Sequence, residues 1–248
     1  MEFEGKVVIV TGAAGGIGKA TALAFSRHGA GVVLVDIVEG KLEEAKGIIQ
    51  EAGGEVLAIV GDVSDSGQVK DVVKQTIEKF GEIDVLVNNA GVDLGSAPIV
   101  NVSDEVWDKT LQVNLKSVFY FCKAVVPIML KKGRGSIVNV ASIAGKEPNK
   151  NMAPYAVSKA GIICLSKVLA KEVVKDGIRV NAVAPGLTRT DLLSNLSPEQ
   201  FDRLLEKIPM GRVGRPEEVA DLILFLSSER SSFITGQCFN ITGGRGDH

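Results

Sequence analysis

Short apolar runs alternate with longer amphipathic segments along the whole chain. Runs of five or six residues rich in Val and Ile predict strands near residues 6–11, 32–36, 55–61, 83–88, 136–140, 178–184 and 237–241. Segments in which apolar residues recur with the helical period predict helices at residues 16–28, 39–52, 66–80, 103–131, 153–176 and 216–227. Strands that alternate with helices in this way are typical of repeated βα units around a parallel sheet.

The predicted strands are apolar on both faces. The second strand reads Val32-Val33-Leu34-Val35, with no polar residue in alternate positions. A parallel sheet covered by helices on both faces produces such strands. No linker rich in Pro, Gly or Ser interrupts the chain, so we predict a single domain over residues 1–248, an α/β, Rossmann-like, doubly wound parallel sheet of about seven strands.

Composition and charge narrow the class of protein. Apolar residues make up 45% of the 248 residues and the net charge is −2, which predicts a folded protein that binds neither nucleic acid nor a membrane surface. The start lacks a signal pattern and no window reaches about 18 uncharged apolar residues, so we expect a cytoplasmic protein without a membrane span. Each of Cys122, Cys164 and Cys238 lies in an apolar run, which predicts buried thiols and no metal site.

A glycine-rich turn follows the first predicted strand. Residues 11–18 read Thr-Gly-Ala-Ala-Gly-Gly-Ile-Gly and lead directly into a helix. Glycines let the backbone approach a pyrophosphate, whose charge the helix N-terminus stabilises. The spacing Gly-x-x-x-Gly-x-Gly departs from the commoner Gly-x-Gly-x-x-Gly pattern, so a strand-to-helix turn without a ligand stays an alternative.

The second predicted strand ends in Asp36, twenty residues after Gly16. A dinucleotide-binding fold places an acid there to accept hydrogen bonds from the adenosine ribose. The same carboxylate would repel the 2'-phosphate of NADP, and no Arg or Lys stands at positions 13–15 to bind that phosphate. We therefore predict NAD (NADH) as the cofactor, with an ordinary strand-end acid as the alternative reading of Asp36.

Tyr155 and Lys159 stand four residues apart in a segment of helical pattern, so their side chains share one helix face. A free tyrosine titrates at about 10, and bringing its pKa close to neutral needs about 4 kcal/mol of preferential stabilisation of the phenolate. An ammonium about 4 Å away supplies roughly that amount at an effective dielectric of about 20. The pair is a candidate for general acid-base catalysis. Its spacing alone is a weak signal, because it arises by chance in roughly 15% of chains of this composition.

Position strengthens the Tyr155 and Lys159 hypothesis. Ser142 stands just past the fifth predicted strand, and Gly12, Asp36 and Asn89 follow three others. Ligands of open α/β sheets bind outside the carboxyl ends of the strands, where all of these residues are expected to converge.

Taken together, these motifs resemble the short-chain dehydrogenase/reductase family, in its classical subfamily, over essentially the whole chain. The residues that carry the resemblance are the loop at 11–18, Asp62-Val63, the Asn-Asn-Ala-Gly run at 88–91, Asn114, Ser142, Tyr155 with Lys159, and Pro185-Gly186.

The resemblance implies a catalytic set of Asn114, Ser142, Tyr155 and Lys159. Tyr155 would be the acid or base, Lys159 would lower its pKa and hold the nicotinamide ribose, and Ser142 would bind the substrate oxygen with Tyr155. Asn114 would anchor a water that relays protons to Lys159. The cofactor is assigned to Gly12, Gly15, Gly16, Ile17, Gly18, Asp36, Asp62, Val63, Asn89, Ala90, Gly91, Tyr155, Lys159, Pro185, Gly186 and Thr188. The alternatives without function are turn formation by the residues at the strand ends, helix bending at Asn114 and helix capping by Thr188.

Residues 187–210 form two short amphipathic pieces joined at Ser197-Pro198, which predicts a lid over an apolar substrate or, alternatively, a plain surface helix pair. Family members that reduce 3-oxoacyl thioesters share many features of this chain, but they use NADPH and carry a basic residue where Gly15 stands here. We therefore predict an NAD(H)-dependent oxidoreductase that interconverts a small-molecule secondary alcohol and a ketone, with a 3-oxoacyl-thioester reductase of fatty acid metabolism as the alternative.

Two rival functions belong to other classes. A non-catalytic dinucleotide-sensing protein is possible on this fold, although loss of Tyr155, Lys159 or Ser142 would be its expected mark. A methyltransferase would leave those three residues without a role. The helices at 103–131 and 153–176 carry more apolar surface than one sheet-facing stripe requires, which agrees with the homotetramers or homodimers that the family builds on paired helices. The tail at 241–248 departs from the family in lacking an acid before its paired glycines.

Overall fold

One sheet of seven parallel strands forms the centre of the computed structural model, which describes residues 1–190 and 198–246. The spatial order is β3-β2-β1-β4-β5-β6-β7, so the chain starts in the middle, winds to one edge and then crosses to the other. The predicted α/β doubly wound fold is confirmed. The strands are β1 (Val7–Thr11), β2 (Gly31–Asp36), β3 (Val56–Val60), β4 (Val85–Asn88), β5 (Gly135–Val140), β6 (Ile178–Pro185) and β7 (Cys238–Ile241).

Helices cover both faces of the sheet and bury one apolar core on each. One face carries α1 (Gly16–Arg27), α2 (Glu39–Glu51) and α8 (Pro216–Ser227); the other carries α3 (Ser66–Phe80), α5 (Ser117–Lys132) and α6 (Ala153–Val173). Phe25, Leu42 and Ile223 are fully buried in the first core, and Phe121 and Ile162 in the second. The central strand β1 is buried along its whole length, which explains why its sequence shows no alternation.

The predicted helix at 103–131 is not a regular α-helix. It consists of α4 (Asp104–Leu111), a π-helical turn at Gln112–Lys116, and α5. Residues 104–132 are the one stretch of the described chain that by length and composition could cross a membrane, which qualifies the expectation that no segment approaches this limit. Core helices of soluble proteins pass the same test, and α5 buries Phe121, Val125 and Met129 in the sheet-facing core.

Two further predictions are changed by the structure. Cys122 is buried as expected, but Cys238 is only partly buried and Cys164 is exposed on α6. All three are free thiols, and burial raises the pKa of Cys122 to about 12. The second amphipathic piece of the predicted lid is the helix α7 (Pro198–Leu205); the first, at 192–196, lies outside the described residues.

A cluster of charged side chains lies at the amino-terminal ends of the strands, which we call the amino edge of the sheet. Asp84 precedes β4, is almost fully buried, and accepts a hydrogen bond from the backbone N–H of Val7 at 3.0 Å. Its carboxylate also pairs with Lys132, with Lys6 at 3.3 Å and with Arg134 at 3.8 Å. Burial alone would raise the pKa of Asp84, but the hydrogen bonds from Lys132 and Val7 hold it below its usual value. The carboxylate is therefore ionised and fully compensated.

Candidate active site

The carboxyl ends of β1 and β4 are joined by side chains at the opposite edge of the sheet. The hydroxyl of Thr11 accepts hydrogen bonds from the backbone N–H groups of Asn89 at 2.9 Å and Ala90 at 3.0 Å. The amide of Asn89 donates to the carbonyls of Thr11 at 2.9 Å and Gly12 at 3.1 Å. Sequence reasoning treated Asn89 as a cofactor contact, whereas the structure shows that its side chain also fixes the glycine loop against β4.

The glycine loop has no room for side chains at two of its positions. A Cβ at Gly12 would lie 2.8 Å from the Asn89 amide nitrogen, and one at Gly18 would lie 2.0 Å from the carbonyl oxygen of Gly12. Gly15 is extended and precedes the first turn of α1, which carries no acidic residue and no side-chain cap. The free N–H groups at this helix start fit a pyrophosphate, so the residues present fit a dinucleotide. Ile17 packs on the adjacent core.

Asp36 lies beside this loop at the end of β2. One carboxylate oxygen accepts the backbone N–H of Ala14 at 3.0 Å, and the other accepts that of Val38 at 3.1 Å. Both bonds fix the orientation of the carboxylate while leaving its remaining lone pairs for ribose hydroxyls. The side chain is half-buried at the end of the second strand, where an acid in a dinucleotide-binding fold accepts hydrogen bonds from the adenosine ribose.

The other predicted cofactor residues also lie at the carboxyl ends of strands. Asp62 follows β3, and the hydroxyl of Ser64 donates to its carboxylate at 2.6 Å, which lowers the pKa of Asp62. Val63 is buried beside it. Pro185 ends β6, Gly186 donates its N–H to the carbonyl of Ile241 at 2.9 Å, and Thr188 donates its hydroxyl to the carbonyl of Gly186 at 3.2 Å. Because all strands are parallel, these groups lie on the same side of the sheet as the glycine loop after β1.

Tyr155 and Ser142 meet where β5 faces the start of α6. Ser142 is nearly buried and accepts the N–H of Ala144 at 3.1 Å, which fixes its hydroxyl at the start of the loop after β5. Burial raises the pKa of Tyr155, the hydrogen bond with Ser142 acts in the opposite direction, and the charge of Asp93 raises it further. Lys159 is not among the causes of this shift, so the lowering of the Tyr155 pKa by Lys159 stays a prediction.

Lys159 lies beside the ring of Tyr155. Its ammonium lies 5.7 Å from the centre of the Tyr155 ring and donates a hydrogen bond to the carbonyl of Val140 at 2.9 Å. Lys159 is only 4% exposed, and burial lowers its pKa to about 8. The buried ammonium of Lys159 is bound by the carbonyl of Val140. It has no carboxylate partner among the residues that the structure describes.

Asn114 lies in the π-helical turn and is completely buried. Its side chain accepts the N–H of Val92 at 2.7 Å and donates to the carbonyl of Val92 at 2.9 Å and to the hydroxyl of Ser158 at 3.0 Å. Ser158 in turn donates to the carbonyl of Tyr155 at 2.7 Å. Asn114 therefore lies where the helix departs from regular winding, as the helix-bending alternative expected. Its hydrogen bonds also connect the loop after β4 to the helix that carries Tyr155.

Gly91 is the point where these groups come closest. A Cβ there would lie 3.2 Å from the side-chain oxygen of Asn114 and 3.3 Å from the ammonium of Lys159. Sequence reasoning found all of these residues, and it counted Asp93 among those that shape the substrate pocket without giving it a part in the chemistry. Asp93 is half-buried two residues further on, and burial raises its pKa. Its signal was an acid at the carboxyl edge of β4, close to the strand-end residues that the motif search had selected.

A twisted parallel sheet with a glycine loop at one strand end and a Ser, Tyr and Lys cluster at another defines a class: nicotinamide-dependent oxidoreductases that act on CH–OH or C=O groups. The model of a family described as Enoyl-(Acyl carrier protein) reductase matches residues 12–245. The chain belongs to the short-chain dehydrogenase/reductase family.

Known proteins agree over nearly the full length of the chain. A 3-oxoacyl-[acyl-carrier-protein] reductase of Thermotoga maritima is 47% identical over 98% of this chain and 99% of its own length. The (2S)-[(R)-hydroxy(phenyl)methyl]succinyl-CoA dehydrogenase subunit of Thauera aromatica is 40% identical over 99% of this chain and 98% of its own. The crystal structure of levodione reductase has a TM-score of 0.93 at 36% identity, covering 98% of each chain.

Proposed function

We propose that this protein is an NAD(H)-dependent oxidoreductase in which Tyr155 exchanges the proton of the substrate hydroxyl. The observation that carries the proposal is the convergence of Ser142, Tyr155 and Lys159 at the carboxyl edge of β5, next to a glycine loop that fits a dinucleotide. The presence of all three side chains favours catalysis over a non-catalytic sensor.

Each side chain has a distinct part in the proposed reaction. Ser142 donates a hydrogen bond to the substrate oxygen and orients it toward the phenol. Tyr155 gives its proton to that oxygen during reduction and takes it back during oxidation. Lys159 would favour the phenolate by its charge. Its ammonium lies 3.3 Å from the position of a Cβ on Gly91, and it would hold the ribose hydroxyls of a bound nicotinamide nucleotide. A bound nicotinamide supplies or accepts the hydride. Burial raises the pKa of Tyr155 in the protein alone, and the positive charge of an oxidised cofactor would add to that of Lys159 in favouring the phenolate.

The preference for NAD(H) rests on Asp36 and on the uncharged glycine loop. Asp36 is held by two backbone N–H groups and cannot turn away from an adenosine ribose without losing them. Its charge disfavours a 2'-phosphate, and Ala13, Ala14 and Gly15 offer no cation to bind one. The predicted cofactor residues retain their assignments, with Asp62 and Val63 beside the adenine and Pro185, Gly186 and Thr188 at the nicotinamide end.

The names of the relatives favour a 3-oxoacyl thioester as the first substrate to test. Several curated relatives carry the name 3-oxoacyl-[acyl-carrier-protein] reductase, and one acts on a succinyl-CoA derivative. A free cyclic or linear ketone is the second candidate, since levodione reductase shares the fold at a TM-score of 0.93. Both are reductions of a ketone to a secondary alcohol, so one mechanism serves both.

A substrate panel tests the proposal directly. Acetoacetyl-CoA, its N-acetylcysteamine thioester and a set of small ketones are incubated with NADH or NADPH, and cofactor oxidation is followed by absorbance. We expect turnover of at least one ketone with NADH and a higher kcat/KM with NADH than with NADPH. Tight NADH binding without turnover of any compound would favour the sensor. Binding of S-adenosylmethionine in place of NADH would favour a methyltransferase.

A second copy of the chain is proposed to cover the groove between α4, α5 and α6. This groove has a volume of about 1140 Å³ and an apolar lining that includes Leu111, Leu115, Phe119, Leu165 and Val168. Phe119 and Val168 are 44% and 49% exposed, which is the surplus apolar surface that the sequence predicted. We propose a homodimer built on this surface, within a homotetramer or alone. Sedimentation at 26.2 kDa would overturn it.

We also propose that the chain is one domain with a lid beside the active site. All seven strands belong to one sheet, which supports a single dinucleotide-binding and catalytic domain over the chain. A lid near 187–210 is supported by α7, whose C-terminal extension contacts the tail beside the crevice.

A further inference from the structure

Three chain segments meet beside the candidate active site, away from the glycine loop. The first is the loop at 142–152, which starts at Ser142 and ends three residues before Tyr155. The second is the segment at 207–210 that follows α7, and the third is the tail at 243–246. The N–H of Met210 donates to the carbonyl of Gly243 at 3.0 Å, and a Cβ on Gly246 would lie 2.8 Å from Ile143. The tail therefore lies between the lid segment and the loop of Ser142.

Two positive side chains from these segments point at one neutral oxygen. The ammonium of Lys207 donates to the side-chain oxygen of Asn149 at 3.2 Å, and the guanidinium of Arg245 approaches the same oxygen at 3.5 Å. Neither cation makes an ion pair within 4.0 Å with a carboxylate of the described residues. The nearest carboxylate on these segments is that of Glu147, which lies 2.6 Å from the position of a Cβ on Gly246 and does not pair with Arg245. Elsewhere in the protein, cations such as Lys132 and Arg212 do have carboxylate partners.

This arrangement is electrostatically incomplete. Two like charges that share one amide oxygen repel each other, and a single neutral acceptor offsets that repulsion only in part. An anion placed between them would accept charge-assisted hydrogen bonds from both. Lys207 is exposed and Arg245 is half-buried, so solvent and ligand can reach both. Asp93, whose charge acts on Tyr155, makes the reacting end of the crevice unfavourable for a negative group.

We propose that Lys207, Arg245 and Asn149 form an anion-binding subsite that holds the negatively charged end of the substrate while its carbonyl lies at Ser142 and Tyr155. The proposal rests on the oxidoreductase function given above and specifies its substrate class. The anion is the carboxylate of an oxo acid or the phosphate of a pantetheine-linked thioester, which share the same chemistry toward Lys and Arg.

Two pairs of matched substrates test the subsite and distinguish the two sources. The first pair is 4-oxopentanoate and its methyl ester; the second is acetoacetyl-CoA and the neutral N-acetylcysteamine thioester of acetoacetate. For each pair the ratio of kcat/KM, anionic over neutral, is measured with NADH. We expect a ratio above ten for at least one pair. The pair that shows it identifies carboxylate or phosphate as the group that binds.

Three variants assign the ratio to these residues. The double variant Lys207→Gln/Arg245→Gln is expected to lower the ratio at least tenfold. Asn149→Asp is expected to lower it as well, because its new carboxylate pairs with both cations and takes the place of the substrate anion. Arg203→Gln, which removes an exposed positive charge from α7, is the matched control and is expected to leave the ratio unchanged. A ratio near one in the wild-type protein, or one that the double variant does not change, would overturn the subsite.

A binding measurement separates failure of the subsite from failure of the proposed function. If no compound is turned over, the oxidoreductase proposal fails, and the subsite is then judged by calorimetric titration with 4-oxopentanoate and with CoA. Binding of either anion that the double variant loses and Arg203→Gln retains would support the subsite. Absence of binding in the wild-type protein would contradict it.

Discussion

The two edges of the central sheet treat a buried charge in opposite ways. At the amino edge, Asp84 is surrounded by Lys6, Lys132 and Arg134 and by the N–H of Val7, and its pKa lies below the usual value. At the carboxyl edge, Lys159 is equally buried but bonds to the carbonyl of Val140, and burial lowers its pKa to about 8. Folding stabilises the ionised carboxylate of Asp84, whereas it destabilises the protonated ammonium of Lys159.

The difference separates residues that hold the fold together from residues that are poised for chemistry. Removing one partner of a compensated buried charge costs stability, because the others remain buried and unpaired. Removing a charge that the fold stabilises poorly relieves a penalty. Perturbed groups of the second kind gather at functional sites. Of the four predictions below, those for Asp84 and Lys159 test this division directly, and those for Tyr155 and Asp36 test the site beside Lys159.

The largest effect is expected from Tyr155→Phe. Loss of the phenolic hydroxyl removes the proposed acid or base, so kcat should fall by a factor on the order of 10³. NADH binding, measured by fluorescence titration, should be retained, since the ring and its packing are preserved. Turnover within twofold of the wild-type rate would refute the acid-base assignment of Tyr155.

Asp84→Asn should have the largest effect on stability. The substitution removes one of the two carboxylates that bind Lys132 and leaves Glu82 as the other, so we expect a loss of about 2 kcal/mol in the free energy of unfolding. Because the folded-state pKa of Asp84 is depressed, its stabilisation is complete above the unfolded value of 3.8 and is lost as the pH falls further. Urea unfolding at pH 7 and pH 3 measures this: the difference between wild type and variant should shrink at the lower pH. Unchanged kcat per folded molecule is the expected control.

Lys159→Met should shift stability in the opposite direction. Below pH 8 the wild-type lysine is protonated in both states, and the folded state bears the cost of burying the ammonium. We expect the variant to be more stable by about 1 kcal/mol at pH 7, after the lost bond to Val140 is counted. This advantage should disappear between pH 8 and 10.5, because the buried lysine loses its proton in this range while the unfolded lysine keeps its own. If Lys159→Met is less stable than the wild-type protein at pH 7, burial of the ammonium does not destabilise the fold.

The smallest effect is expected at the cofactor end of the crevice. Asp36→Ala should lower the preference for NADH over NADPH by roughly tenfold, because it removes the charge that repels the 2'-phosphate. Asp36→Asn is the matched variant, since an amide can still accept one of the bonds from Ala14 or Val38. The two variants should shift the preference alike; a shift in Asp36→Ala alone would point to loop disorder, and no shift in either would remove Asp36 as the selector.

Most of the fold could be predicted from the sequence because each element has a strong local signal. All seven strands and the helices α1, α2, α3, α6 and α8 lie within a few residues of the expected positions. Caps fix several ends: the carboxylate of Asp65 accepts the N–H groups of Gly67 and Gln68 at the start of α3, and Gly81 ends that helix in the left-handed conformation. The assignment of buried strands depended on the absence of polar alternation, which the doubly covered sheet requires.

What the sequence did not show depends on contacts between distant segments. The distance from Lys159 to Tyr155 is set by the bond to Val140 on β5, and helical spacing alone suggested a closer approach. The convergence of Lys207 and Arg245 on Asn149 joins three parts of the chain that no local motif connects. Exposure of Cys164 follows from the groove between α5 and α6, which apolar flanking residues cannot reveal.

The π-helical turn at 112–116 matters for the site more than for the core. A π-helical turn holds one more residue than the α-helical turn it replaces, so deleting one residue here would restore regular winding while α4 and α5 keep nearly the same phase. Val118, Phe121 and Val125 would stay in the core, but Asn114 would change its place in the turn and lose its bonds to Val92 and Ser158. We therefore expect a chain shortened by one residue in this stretch to fold and to lose activity.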